Sequence, residues 1–472
     1  MPDFTKNAYL WLFLFFGIIF LSHLGELYVN IMEARNFITA REMLTQNNWL
    51  LTTLNELPRY QKPPLPTWLT ALSACVFGLE NLFFLRLPAA LSAIFLCMIF
   101  YRFQIIMGVL KQQAFNAALI LTSSFYIVFA GRNGQWDIFT HAFMMGTIYF
   151  LWKIFQNHSQ IYQNALWAGL FFAASLLSKG PVSFYALLLP FVMAYALSYG
   201  FKNFGKIWKP LLVFIFTGLL LGGWWFLYVR LVDPESFLKI SAKEAQNWAN
   251  YNVRPFYYYW SFFTQSGIWT IPAFTALLYP YLRKRVSDPK LYKFAFWWTM
   301  ISVILLSVIP EKKSRYLLPV LIPLALTTGF YIEFLFKNYR NLPGRERIGV
   351  YLQHSILASI GFAFPFAAIF LLDLEGYWWW YGLTSLSLII IAAAKLYFLR
   401  KHNYPGLFYL TPLYIAVIIL FAFPLSNSFL NNPNFNNISH LKQLSEKENF
   451  EVYEYPDFTP ELIWEYGSSI PL

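Results

Sequence analysis

Residues 26–68 read ELYVNIMEARNFITAREMLTQNNWLLTTLNELPRYQKPPLPTW, a polar, charged and aromatic stretch between two long apolar runs. Two carboxylates and two guanidiniums (Glu33, Arg35, Arg41, Glu42) crowd one end of it, and Arg59, Tyr60 and Lys62 arrive just ahead of Pro63-Pro64. Joining two membrane spans takes only a few turn residues. A segment this long and this charged implies a second task.

The rest of the chain supplies the spans. Of 472 residues, 58% are hydrophobic and only 12% charged, against about 25% charged in a soluble domain. Apolar runs long enough to cross a bilayer recur along the whole length. The chain is therefore expected to be an all-α polytopic membrane protein. About thirteen spans are predicted, near 8–26, 83–107, 114–131, 138–156, 164–178, 181–200, 210–231, 266–282, 292–309, 316–336, 348–372, 378–399 and 406–425. The segment 65–81 reads as a short re-entrant or interfacial helix. Lys179-Gly180-Pro181 either separates two spans or kinks one. Cys75 and Cys97 lie in apolar segments and read as small core residues, not as a disulfide or metal pair. A cleavable leader is not evident after Ala8–Ser22, so the first span is expected to remain as an anchor.

The net charge of +12 follows loop bias and does not indicate nucleic acid. Lys6, Lys111, Lys202, Lys206, Lys209, Arg283–Arg285, Lys290, Lys337, Arg340, Arg345, Arg347, Arg400 and Lys401 share one side, which the positive-inside rule makes cytoplasmic. The loops 26–68, 132–137, 232–265 and 311–315 then face outward together. Residues 1–425 form a transmembrane domain, with its first outward loop at 27–82. Residues 426–472, Asn-rich over Asn427–Asn437, form a short outward tail, too short for a substantial core of its own.

Ten outward cations break the charge rule: Arg35, Arg41, Arg59, Lys62, Arg132, Lys243, Arg254, Lys312, Lys313 and Arg315. As a set they fit an anionic ligand, since Arg and Lys are the natural phosphate clamps; lipid headgroups are the alternative. Ala34–Leu44 has the pattern of an interfacial amphipathic helix, with Arg35, Arg41 and Glu42 turned to water or a cleft. Glu33 opens that helix, where the dipole favours a carboxylate, and is equally a catalytic candidate. Asp137 is either a catalytic carboxylate or the N-cap of the following span. Asn250–Trp260 has the aromatic density of an interface belt.

These motifs carry a resemblance. MEARNFITAREML followed by RYQKPPLPTW resembles the first outward loop of the aminoarabinose transferase and protein O-mannosyltransferase superfamily, and Asp137 and Lys313-x-Arg315-Tyr316-Leu317-Leu318-Pro319 extend it over about the first 330 residues. The resemblance implies a GT-C fold with outward juxtamembrane helices and a glycosyltransferase that uses a polyprenyl-phosphate-linked sugar. The acceptor would be a lipid, glycan or protein, and the active site would face the outside of a bacterial cytoplasmic membrane. It further implies that Arg35, Arg59, Tyr60, Lys62, Lys313, Arg315 and Tyr316 bind the donor and its phosphate, while Glu33 and Asp137 supply carboxylates. Departures matter: Met32 stands where the family usually has Asp. Gln61 and Ala245 stand where the aminoarabinose branch has Glu and His, so no metal or other cofactor is expected, nor is aminoarabinose transfer assigned. His23 and His141, at or within spans, read as packing residues. A lipid-linked-sugar flippase and a non-catalytic assembly subunit are the competing readings.

Overall fold

The computed structural model describes residues 6–156, 159–201, 204–426, 438–454 and 459–471; Lys202 and the Asn427–Asn437 run lie outside them. The chain opens with α1 (Ala8–Leu21) and α2 (Ile31–Gln46), then a two-stranded hairpin, β1 (Thr53–Leu54) and β2 (Leu57–Pro58). Next come α3 (Leu65–Phe77), α4 (Leu82–Ile106), the bent pair α5 (Lys111–Thr122) and α6 (Phe125–Gly131), α7 (Asp137–Phe155) and α8 (Ile161–Lys179). The middle holds α9 (Leu189–Ser198), α10 (Phe204–Val232), α11 (Pro234–Asn250), α12 (Thr270–Ala276) and α13 (Tyr279–Leu282). Then follow α14 (Pro289–Val308), α15 (Leu318–Asn338), α16 (Gly344–Leu371), α17 (Trp378–Arg400) and α18 (Tyr404–Val417). Two tail helices close the chain, α19 (Ser439–Glu448) and α20 (Pro460–Tyr466).

The protein is an all-α polytopic membrane protein. Among the described residues, eight helices are long and apolar enough to cross a membrane, or nine if α5 and α6, bent by 66°, make one span. Thirteen were expected. Several expected spans are short or broken: α1 has 14 residues, and residues 266–282 divide into a 3₁₀ turn, α12 and α13, with Gly267 at φ 64°. Lys179-Gly180-Pro181 is a true break, because Gly180 at φ 67° ends α8 in a conformation that disfavours other residues.

In the core, Phe103, Trp152, Phe191 and Trp298 meet with ring centroids 5.4–6.4 Å apart, the geometry aromatic pairs favour. Helices α8 and α10 approach closely through small residues. A Cβ on Gly169 would lie 2.7 Å from Thr217, and one on Gly222 would lie 2.9 Å from Ala173. Such backbone approach is how membrane helices gain packing without a hydrophobic driving force, and it sets where Lys179, the last residue of α8, emerges. Buried ionisable groups are more numerous within the spans than the sequence suggested. Lys395 of α17 is fully buried and donates to Thr411 of α18 at 2.9 Å, with His354 Nδ1 of α16 at 3.2 Å.

Helix α2 departs most from expectation. It was to lie on the interface with Arg41 and Glu42 free, yet Arg41 is 7% and Glu42 3% exposed. The tail and the hairpin cover it. Ile463, Tyr466 and Ile470 pack on Ala34 and Ile38, Arg41 donates to the Ile463 carbonyl, and Glu42 accepts from Thr53 Oγ1 and the Glu56 amide. Cys75 likewise proves exposed on α3.

Candidate functional site

The four loops expected to share a face do meet at one end of the helix bundle. Tyr60 donates to Asp233, where α10 gives way to α11, at 2.8 Å. Val253 bridges to Glu311, and the 132–136 turn docks on α2.

Asn30 and Glu33 form a capping box that starts α2. The Glu33 carboxylate is then fully engaged. It accepts from Arg86 Nε at 2.7 Å, Arg86 Nη2 at 3.1 Å, Asn30 Nδ2 at 2.8 Å and the Gly134 amide at 2.8 Å. One turn on, Asn36 donates to the Gly134 carbonyl at 2.7 Å and accepts from Thr67 at the same distance. Residues 33 and 36 share a helix face, so α2 grips both the amide and the carbonyl of one residue. The capping box shows Glu33 as the charge that opens α2. Glu33→Gln is expected to cost about 3–5 kcal/mol of stability, because it strands the buried guanidinium of Arg86. The thermal transition in detergent reads that loss, and adding Arg86→Met should recover part of it. An unchanged transition in the single variant would show that the pair braces nothing.

The grip on Gly134 sets the position of Asp137. Asp137 is the first residue of α7 and caps nothing. One oxygen, Oδ1, is ion-paired with Lys179 across the α7–α8 interface, with both side chains buried. The other, Oδ2, is buried without a hydrogen-bond partner. Lys179 is the residue that reading the sequence missed, having been absorbed into a kink motif. His141, one turn below Asp137, is bonded to Ser183 at 3.0 Å.

Cations surround this pair. Lys62 is half-buried, makes no hydrogen bond or ion pair among the described residues, and has its pKa lowered to about 8 by burial and then by Lys179 and Arg59, against the pull of Glu244 and Asp137. Arg315 approaches from the opposite loop, its Nε buried and unpartnered; its charge acts on both Asp137 and Lys179. Tyr316 closes that side, with Lys179 Nζ 5.6 Å from its ring centroid and its hydroxyl on Glu311 at 3.1 Å. Lys313 is ion-paired with Glu311 at 2.5 Å. Gln61, next to Lys62, also leaves a buried Oε1 without a partner.

Arg59, Arg132 and Lys312 are engaged within the protein. Arg59 donates to the Arg35 carbonyl at 2.7 Å and to Thr39 at 2.9 Å, stacks over Trp136 at 4.6 Å, and is held at a pKa of about 9 by burial and Arg35. Arg132 caps α1 through the carbonyls of Ile19 and His23, and Lys312 takes those of Ile309 and Arg254. Helix ends and irregular turns leave carbonyls unpaired, and a buried cation satisfies several at once. Of the expected anion clamp, Lys62, Arg315 and the half-buried Arg35 remain as candidates, and Lys243 and Arg254 are exposed. Arg59 commits Nη1, and Tyr60 its hydroxyl, to the protein. Among the described residues no three His, Cys, Asp or Glu side chains are grouped to hold a metal. A groove of about 780 Å³ lined by Gly25 and Phe77–Phe83 includes none of these residues.

A polytopic helical bundle with a carboxylate and cations at one end fits the GT-C fold that the resemblance implies. Residues 61–225 match the family model described as dolichyl-phosphate-mannose-protein mannosyltransferase. An undecaprenyl phosphate-alpha-4-amino-4-deoxy-L-arabinose arabinosyl transferase of Shewanella sediminis is 30% identical over 359 residues, 69% of this chain and 60% of that one. An uncharacterized protein of Aquifex aeolicus is 28% identical over 322 residues, 64% of this chain and 60% of its own length. The chain thus spans 60% of the length of each of these relatives. In fold it is similar to ArnT from Cupriavidus metallidurans, solved with undecaprenyl phosphate, at TM-score 0.73 and 18% identity, covering 99% of this chain and 85% of that one. The arabinosyltransferase EmbB from Mycobacterium smegmatis is more distant, at TM-score 0.52 and 12% identity over 91% of this chain and 42% of that one. The chain is an aminoarabinose-transferase-like and protein-mannosyltransferase-like protein of the GT-C fold.

Proposed function

We propose that this protein is a membrane glycosyltransferase that moves a sugar from a polyprenyl-phosphate donor to a hydroxyl of a lipid, glycan or protein acceptor, at the outer face of a bacterial cytoplasmic membrane. The observation that carries the reading is the pairing of one free carboxylate oxygen with uncommitted cations: Asp137 Oδ2 beside Lys62 and Arg315.

Each group has a task in that reaction. Lys62 and Arg315, with Arg35 behind them, hold the donor phosphate and match the charge that develops as it departs. Lys179 keeps Asp137 ionised and turned, so that Oδ2 takes the proton of the acceptor hydroxyl. The acceptor oxygen bonds to the anomeric carbon as the bond from that carbon to the phosphate oxygen breaks, and polyprenyl phosphate leaves. Lys313 and Tyr316 line the far wall, and Arg59 and Tyr60 fix the backbone that presents Lys62. Glu33 acts as a positioning residue. Its commitment to Arg86 and Gly134 supports assigning the base to Asp137. With Asp137 as base, Met32 in the place of the family Asp is compatible with an active enzyme.

The test is transfer of radiolabelled sugar from extracted lipid-linked donors in membranes with and without the protein. Label should move to an acceptor fraction only where the protein is present. Equal label in both membranes, over the full range of donors extracted, would overturn the reading.

A further inference from the structure

We infer that the C-terminal tail is part of the catalytic end and that Trp464 is a positioning residue for Asp137; the inference rests on the carboxylate role proposed above. Three contacts in series carry it. The Trp464 ring packs on Phe37 with centroids 5.4 Å apart, and Arg41, one turn along α2, lies 5.8 Å from the same indole. Phe37 in turn lies flush against Gly134, where an added Cβ would come within 2.5 Å of the ring. Gly134 is the residue that Glu33 and Asn36 grip, three residues ahead of Asp137.

Helix α2 is therefore clamped between two surfaces. Residues 34, 37, 38 and 41 face the tail, while residues 33, 36 and 37 face the turn. Phe37 belongs to both faces. The tail is further pinned to the hairpin by a reciprocal pair of hydrogen bonds between Asn55 and the Ile470 backbone, at 2.7 and 2.8 Å, and by Ser469 on Glu56 at 2.7 Å. Without the indole, Phe37 gains room to retreat from Gly134. The turn then loses the wall that holds Oδ2 toward the acceptor. Lys62 lies on a separate, proline-locked segment and Arg315 on the loop before α15, so phosphate binding depends less on this clamp than the placing of Asp137 does.

The inference is checked with Trp464→Ala, Trp464→Phe and, as a control on the exposed tail surface, Tyr453→Ala. Trp464→Ala should lower kcat about tenfold or more, since misplacing a reacting group by an ångström is enough for that. KM for the donor and binding of undecaprenyl phosphate should stay within about twofold of the parent, Trp464→Phe should restore most of kcat, and Tyr453→Ala should match the parent. An arm independent of activity uses Gln135→Cys, in the buried turn, with Cys75 and Cys97 replaced. Its labelling by a maleimide should be slow in the parent and faster with Trp464→Ala. If the parent transfers no sugar at all, the function reading fails and the labelling arm alone decides the clamp. Native kcat in Trp464→Ala, or unchanged labelling of Cys at 135, would overturn the inference.

Discussion

Replacing Asp137 by asparagine is expected to lower sugar transfer by about 10²–10⁴-fold, the range seen when a positioned base is removed. The amide keeps the shape of the carboxylate but offers the acceptor proton no place to go. It also leaves Lys179 as a buried cation without its counter-charge, and breaking such a pair from one side costs about 3–5 kcal/mol. Lost activity and lost stability must therefore be separated. Asp137→Asn combined with Lys179→Met removes both charges and should recover much of the thermal transition while activity stays absent. Lys179→Met alone should also be impaired, because it frees Oδ1 and lets the carboxylate rotate. Transfer in Asp137→Asn at the parent rate would remove the base from this site.

The second large effect concerns Lys62, and pH exposes it. Burial and neighbouring cations lower its pKa to about 8, so the ammonium that must hold a phosphate is fully present only below that pH. A bound phosphate raises the pKa again. Above pH 8, then, apparent donor affinity should fall by about tenfold per pH unit until the pKa of the complex is reached. Stability without ligand runs the other way. A lysine whose folded pKa is depressed binds fewer protons folded than unfolded, so its destabilising contribution fades as pH rises from about 8 towards the ordinary lysine value. Lys62→Met should abolish undecaprenyl phosphate binding at every pH. Lys62→Arg should bind with no slope between pH 8 and 10, since a guanidinium stays charged there. A parent protein whose affinity is flat across that window would place the phosphate elsewhere.

What could be read from the residues follows from how local each signal is. The α2 helix, the Pro63-Pro64 segment and the membrane class rest on periodicity, proline chemistry and composition, all short-range properties. The same holds for Asp137, which sits in a short polar turn between apolar runs. The partners of those residues are different. Arg86 lies 53 positions from Glu33, and Ile463 lies 422 positions from Arg41; no spacing rule connects them. Arg86 did carry a signal, since an arginine inside an apolar span implies a buried partner. Lys179 was hidden by its neighbours, because Gly180 and Pro181 explain a break without any role for the lysine. The outward cations show the same limit. Arg41, Arg59, Arg132 and Lys312 look like ligand-binding charges, and each also donates to a backbone carbonyl, a contact that only three-dimensional geometry creates.

The doubly held residue Gly134 also makes this protein a reporter of its own opening. Its amide hydrogen is buried and points at the Glu33 carboxylate, so exchange with deuterated solvent requires α2 and the turn before α7 to separate. Amides of that kind exchange at a rate set by the free energy of the local opening event. The Gly134 amide should be among the slowest outside the transmembrane helices. Any molecule that binds only the closed form should slow it further, by a factor of one plus the ratio of its free concentration to its Kd. Isotope uptake at that single position then reads how firmly α2 holds the turn without any turnover, and does so even in variants that have lost the base.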